Sequence, residues 1–352
     1  MLYYLCKLDF LTALHIGDSS SARSLETSKM AFGSDTLFSA LCHEALSLGG
    51  TTMLEQLYQL TKEDKLLLSD SMPYYGETLY IPRPVAPAAN KTEGDPGLRK
   101  RHKKMAYLPM VLMDRYLTYL RGEADFEVRL AEDELRAGES GDLPVVHTQF
   151  GTHSTVAKVA VQGNEDPEPF HVGAFSFFKE DKQRDDNKLG RETCGLYIII
   201  GYAEEGALQL VLRLLKSLAV SGIGGKTSAG YGKFIISDDI FVDEVCDEQT
   251  EWLKRSLHYQ NAKSFLLLNL ALPKEDEMPG AVEGSTYALE RRGGFVQSKS
   301  YGTTFYKKKT GYLFAAGSVF KKTFQGDVFD VAAEGAHPVY RYGKPMFLGV
   351  DL

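Results

Sequence analysis

The chain has no C-x-x-C pair. Its four cysteines, Cys6, Cys42, Cys194 and Cys246, lie far apart. That spacing supports neither a zinc site nor a disulfide framework, and it suits a reducing cytoplasm. No apolar run reaches the roughly 20 residues that a membrane helix needs. The opening stretch, Leu2 to Leu8, already contains Lys7 and reads as a strand, not as a secretory leader. A nucleotide-binding P-loop is also missing. Gly225-Lys226-Thr227 fits the end of G-x-x-x-x-G-K-[ST], but the first glycine of that pattern falls on Val220. The flanks run helix then strand, the reverse of that motif. What is present is an ordinary globular share of hydrophobic residues, 43% over 352 residues. That is enough for a packed core and two domains.

The net charge of −7 seems to exclude a nucleic-acid partner, but its distribution does not. From Arg291 to Lys322 there are eight Lys or Arg and no acid; from Asp238 to Glu251 there are seven acids and no base. Glu123 to Asp142 holds eight acids against Arg129 and Arg136. A polyanion responds to the field within a Debye length, about 8–10 Å, and not to the sum over the chain.

The densest signal is SGIGGKTSAGYGKF, Ser221 to Phe234. Five glycines within it let the backbone reach φ > 0 and approach other segments closely. Gly224-Gly225-Lys226-Thr227-Ser228 adds clustered N–H groups, one cation and two hydroxyls, the parts of an anion cradle. A plain tight turn is the competing reading. Ala207 to Val220 before it has helical apolar spacing, and Tyr231 to Ser237 after it reads as a strand.

Along the chain, Leu2 to Ile16 is expected as one long strand, with His15 at its end. A polar loop carrying Arg23 and Lys29 leads to a helix over GSDTLFSALCHEALSLGG, with Ser34 as N-cap and Gly49-Gly50 as its stop. Leu66 to Ser69 and Thr78 to Ile81 are short strands. Pro82, Pro84 and Pro87 precede the basic run Arg99 to Lys104, either a solvated insertion or a contact to RNA phosphates. Residues 143–190 lack period and read as a second insertion. Cys194 to Tyr202 is a buried strand, and Glu248 to Leu257 a short helix or linker. The C-terminal part restarts with strands at Phe265 to Leu272 and Tyr287 to Arg291. Two hairpins are expected there: Thr304 to Lys308 with Tyr312 to Phe320, and Val339 to Gly343 with Met346 to Val350. About half of the aromatics between residues 291 and 322 face the core by strand alternation, leaving the others for bases to stack on.

Several stretches together resemble the RAMP proteins, the repeat-associated RNA-binding proteins of CRISPR systems. They are His15-Ile16-Gly17, the S-D-T-L-F-S-A-L helix from Ser34, G-I-G-G-K-T-S-A-G-Y-G-K-F from Gly222, G-S-V-F from Gly317 and Y-R-Y-G-K-P-M-F-L-G from Tyr340. Within that superfamily the pattern is most similar to the crRNA 5′-handle-binding subunits of type III-A (Csm) effector complexes. The resemblance covers residues 1–50 and 194–352 and is weak between 82 and 193. It implies an α+β fold of two ferredoxin-like (RRM-like) domains, residues 1–245 and 246–352. The first would carry insertions at about 82–193, among them a β-hairpin thumb within 143–180 that kinks the crRNA. It also implies a cytoplasmic role in antiviral defence, beside a large polymerase-palm subunit and a backbone RAMP subunit. Neither membrane nor DNA is expected as a main ligand, and no cofactor, metal or catalytic residue. The RNA-binding set is His15, Gly17, Arg23, Ser34, Gly222, Ile223, Gly224, Gly225, Lys226, Thr227, Ser228, Gly230, Tyr231, Arg291, Arg292 and Lys321. His15, Arg23 and Arg292 are the candidate base readers, because backbone donors fix register without reading sequence.

Two alternatives remain at this level. One is a RAMP endoribonuclease that cuts repeat RNA, with His15 and Lys226 as base and acid. The other is the equivalent subunit of a type III-B complex, with the same role and other partners.

Overall fold

The computed structural model describes residues 1–18, 23–89, 104–132, 143–160, 168–179, 192–245, 247–298, 301, 306–333 and 335–352. Arg99 to Lys103, Cys246 and Phe305 lie outside the described residues.

The centre of the molecule is the strand Cys194–Tyr202, in which all nine residues are buried. An unbroken apolar run is what a strand covered on both faces requires. It pairs antiparallel with Leu2–Phe10 on one side and with Leu66–Leu68 and Met72–Tyr75 on the other. Phe234–Phe241 adds to the outer side of Leu2–Phe10. Thr78–Pro82 and Tyr107–Pro109 extend the opposite side, giving seven strands. Two helices join these strands, Ser34–Lys62 and Glu205–Ser221, and they pack on each other. The first part of the chain therefore reads strand–helix–strand twice.

The first strand ends at Phe10, shorter than expected, and the chain then makes a single bridge from Leu14 to Phe175. The first helix differs in both its ends. Its N-cap is Gly33, in extended conformation, so Ser34 lies inside the helix. The Ser34 hydroxyl donates to the Leu270 carbonyl at 3.3 Å instead of capping. Gly50, at φ 66°, breaks the helical geometry, but the helix resumes and runs to Lys62. Burial of Leu57 and Thr61 explains the continuation, because tertiary packing outweighs a local breaker.

Residues 143–190, which lack period in the sequence, contain a hairpin within the 143–180 range that the resemblance implies for one. Gly151–Ala160 and Glu168–Phe177 form an antiparallel hairpin with ten paired positions, here called the arm.

In the C-terminal part, Ser264–Leu267 pairs antiparallel with Val319–Phe320 and Phe347–Val350. Among the described residues neither expected hairpin forms, and Thr304 lies outside them. Gly311–Phe314 pairs with Leu289–Arg292, and Tyr340–Tyr342 with Val328–Asp330. Sequence-local turns lost to distant partners because these strands fill a shared core: Leu266, Tyr342, Leu348 and Val350 join Leu5 and Ile198 in one continuous cluster.

A polar seam crosses that core. The Asp70 carboxylate accepts from the Ser34 N–H (2.7 Å) and the Leu270 N–H (2.9 Å). The Asn269 side chain donates to the Lys344 carbonyl and accepts from the Met346 N–H. The buried Lys344 ammonium lies 2.6 Å from Asp64 and also donates to the Lys62 carbonyl. Each of these groups is satisfied, as buried polar groups must be.

Candidate nucleic-acid interface

Three segments meet where the first strand ends. The Gly232 N–H donates to the Ala13 carbonyl at 2.9 Å, and the Gly225 N–H to the His15 carbonyl at 2.8 Å. On the other side, Leu14 and Phe175 exchange two backbone hydrogen bonds at 2.8 Å, and the Gly173 N–H donates to the Leu25 carbonyl. Residues 13–16 are thus held between the glycine-rich loop and the base of the arm.

That closeness explains two of the glycines. Gly224 has φ +97°, and a Cβ there would lie 2.6 Å from the His15 carbonyl oxygen. Gly232 has φ +71°, and a Cβ would lie 2.0 Å from the Ile223 carbonyl oxygen. Neither position accepts a side chain without moving backbone. Between them, Thr227–Ala229 makes a single 3-10 turn that opens on Lys226.

The loop keeps part of its donor capacity. Among the described residues, the backbone N–H groups of Gly224, Lys226, Thr227 and Ser228 have no partner, whereas that of Gly225 is engaged with His15. The Thr227 and Ser228 hydroxyls likewise form no hydrogen bond there. The Lys226 ammonium stands 5.0 Å from the Phe170 ring centroid, and the Lys158 ammonium 4.6 Å from that of Tyr231. These cation–π contacts tie loop to arm, and neither lysine has a carboxylate within ion-pair distance among the described residues.

His15 is 5% exposed. Its Nδ1 lies 2.7 Å from the Gly173 carbonyl. A carbonyl only accepts, so Nδ1 carries the proton. Burial pushes the imidazole pKa below its ordinary value and the nearby Lys226 charge adds to this, against the Gly173 hydrogen bond. At neutral pH the ring is therefore uncharged, and Nε2 presents a lone pair. It can accept from an amino group or a 2′-OH; it cannot donate to a phosphate.

The remaining expected residues divide. Gly222, Ile223, Gly230 and Tyr231 belong to the loop. Gly17 and Arg23 lie on the segment that packs against the arm base. The Arg23 side chain is 80% exposed, with Glu26 at 3.9 Å. Ser34 is fully buried in the seam, out of reach of any ligand. Arg292 is occupied as well: its guanidinium makes two hydrogen bonds to Asp35, at 2.6 and 2.8 Å, and one to the Thr36 hydroxyl. Burial alone would raise the Asp35 carboxyl, but Arg292 overrides it and holds Asp35 below the usual carboxylate range. Arg291 is exposed on the same strand, opposite Tyr312. Lys321 reaches the Ser264 hydroxyl and the Leu352 carbonyl, at the edge of the C-terminal sheet. Of the aromatics between 291 and 322, Tyr301, Phe314 and Phe320 are buried while Phe295 and Tyr312 are exposed.

Lys158 and Phe170 escaped the sequence reading because Gly151–Ala160 carries no strong apolar alternation, so the turn residues Gly163, Asn164 and Pro167 do not stand out as joining two strands. The Thr, Val and Ser content of Gly151–Ala160 was the available clue.

Residues 7–235 match the RAMP superfamily, and residues 260–350 match the CRISPR Csm4 C-terminal domain. The class is therefore that of the RAMP proteins. A "CRISPR system Cms protein Csm4" of Mycobacterium tuberculosis (strain CDC 1551 / Oshkosh) is 33% identical over 337 residues, covering 96% of this chain and 94% of that protein. The protein of that name from Streptococcus thermophilus is 27% identical over 361 residues and covers both chains completely. The chain belongs to the Csm4 family. In fold it is similar to a chain of the Csm3-Csm4 subcomplex of the type III-A CRISPR-Cas interference complex, with TM-score 0.62, 18% identity and full coverage of both. A chain of a Csm1-Csm4 cassette in complex with pppApA gives TM-score 0.54 and 19% identity, covering 99% of this chain and 98% of that one.

Proposed function

We propose that this chain is the non-catalytic, cytoplasmic RNA-binding subunit of a type III-A CRISPR interference complex. It seats the repeat-derived 5′ handle of the crRNA and joins the large polymerase-palm subunit to the backbone subunits. The observation that carries the RNA reading is the meeting of Lys226, Lys158 and free loop N–H groups, with no carboxylate in ion-pair reach among the described residues. Cations without internal partners, beside backbone donors, suit phosphates. Assembly is supported by the solved relatives, whose names place Csm4 with Csm3 in one case and with Csm1 in the other.

The strand–helix–strand repeat of the first part, with its antiparallel order, supports one ferredoxin-like domain over residues 1–245. The sheet around Ser264–Leu267 supports the core of a second over 246–352. The arm corresponds to the thumb expected from the resemblance, and its Phe170 and Lys158 would meet the RNA beside the loop.

Base reading falls to His15 and Arg23, since Arg292 and Ser34 are committed inside the fold. His15 serves as an acceptor and Arg23 as an exposed donor. The test is a competition assay with reconstituted complex, using native and scrambled handles on one guide. The native handle should bind better, and Arg23→Ala should shrink the gap by about 1–3 kcal/mol, by analogy with base readout in DNA. Equal affinity for the two handles would remove sequence reading from this subunit. Metal-independent cutting of repeat RNA, abolished by His15→Ala, would replace the scaffold reading with an endoribonuclease.

A further inference from the structure

A second concave site lies away from the glycine loop, at the bend of the first helix. Cys42, His43 and Leu46 line it from before Gly50, and Thr51 and Leu54 from after it. The opposite wall is built from residues 296–298, 308 and 337–340. The cavity holds about 440 Å³, and its surface is largely apolar, with Leu46, Leu54, Val296 and Val339 prominent between polar residues such as His43 and Gln297. Leu46 is 43% exposed, so the apolar surface continues out onto the rim.

One end of this cavity is cationic. Lys308 lines it, and its ammonium makes no hydrogen bond or ion pair among the described residues. Among the described residues no Asp or Glu lines the cavity. The nearest negative field comes from Asp35, whose two oxygens are both taken by Arg292. Arg341 is 6% exposed and also lacks a hydrogen bond or ion pair among the described residues. Burial lowers the Lys308 pKa, and Arg341 and Arg292 lower it further, against the pull of Asp35. Lys308 thus stands in the wall of a largely apolar cavity without an anion of its own among the described residues, while Arg341 and the ion-paired Arg292 are close enough to add to its field.

We propose that this cavity is a docking site for a partner protein segment that presents an apolar side chain next to a carboxylate. The side chain fills the aliphatic walls, and the carboxylate pairs with Lys308, where desolvation makes the pair strong. Nucleobases fit less well. Of the rings that line it, Tyr340 is already stacked on Tyr58, with centroids 4.4 Å apart and planes at 19°, and His337 stands edge-on to Tyr301, which leaves the small His43 imidazole. The proposal rests on the reading of the chain as a complex subunit.

The test measures affinity of the purified chain for the large subunit and for the backbone subunit of its own system, each purified separately. Leu46→Asp and Lys308→Glu should each weaken one of the two pairings about tenfold or more. Lys308→Arg should keep it, since the charge stays. Handle RNA affinity and the thermal melt should stay at wild-type values for all three. Wild-type binding of both subunits with indifferent variants overturns the docking site alone. A parallel loss of RNA affinity in Lys308→Glu overturns it in favour of a phosphate contact. A wild-type chain that binds neither subunit sinks the subunit reading, and the docking site with it.

Discussion

The glycine loop and the polar seam use the same residue types to opposite ends. In the seam, Arg292 is clasped by Asp35, and Lys344 by Asp64 and a helix carbonyl. In the loop, Lys226 faces the Phe170 ring and Lys158 the Tyr231 ring, with no acid near either among the described residues. A cation whose anion is supplied by the fold holds the fold together. A cation left without one is available to an outside polyanion. Sequence shows both as basic residues beside glycines and aromatics, and only the partner distinguishes them.

The sharpest way to test this contrast is Arg292→Ala. It leaves the buried Asp35 carboxylate without its partner and should cost about 3–5 kcal/mol of stability, read from urea unfolding. A loss under about 1 kcal/mol would place the seam on a par with surface ion pairs.

Asp70 offers a pH signature of the same seam. Burial pushes its carboxyl up to about 7, against hydrogen bonds from the Ser34 and Leu270 N–H groups. The folded state then holds a proton that the unfolded state has released between about pH 4 and 7. Stability from this group is present at low pH and is lost as pH rises through that window. The difference between wild type and Asp70→Asn should fall by up to about 1.4 kcal/mol for each pH unit there. A difference that stays level from pH 4 to 7 would show the carboxylate to be ionised throughout.

In the loop, Gly232→Ala combines positive φ with a backbone clash and should cost about 1–3 kcal/mol while loosening RNA binding. Circular dichroism melts and an RNA titration read the two effects. Unchanged RNA affinity in a destabilised variant would detach the loop from the site.

The smallest stability effect is expected at Lys226. Lys226→Ala should leave the melt within about 0.5 kcal/mol of wild type. The slope of log affinity against log salt should fall by about one unit. Parallel lines of equal intercept would take Lys226 out of the interface.

How much of this was legible depended on range. The strand Cys194–Tyr202 and the helix before Gly222 were readable because their signals are local, an unbroken apolar run and a periodic one closed by glycine. Periodicity did not reveal the arm, which only the RAMP resemblance implied, since Gly151–Ala160 gains its order from cross-strand pairing. Phe347–Val350 was assigned to the nearest strand and found its partner some 80 residues away, at Ser264–Leu267. Nothing near Arg292 in the sequence announces Asp35, so its retirement from the base-reading set needed the tertiary fold. His15 was read as the end of a strand that in fact stops at Phe10, and its tautomer depends on Gly173, which sequence could not bring near.

Lys226 carries one more consequence. Its backbone sits at φ 60°, and among the described residues Asp64 is the other non-glycine there. A left-handed residue with a Cβ is held under steric strain, about 1–2 kcal/mol, which a glycine would relieve in part. Lys226→Gly should therefore melt slightly higher than wild type while losing the ammonium proposed to meet a phosphate. A residue kept where a more restful one would fit is a trade of stability for activity, written into a single backbone angle.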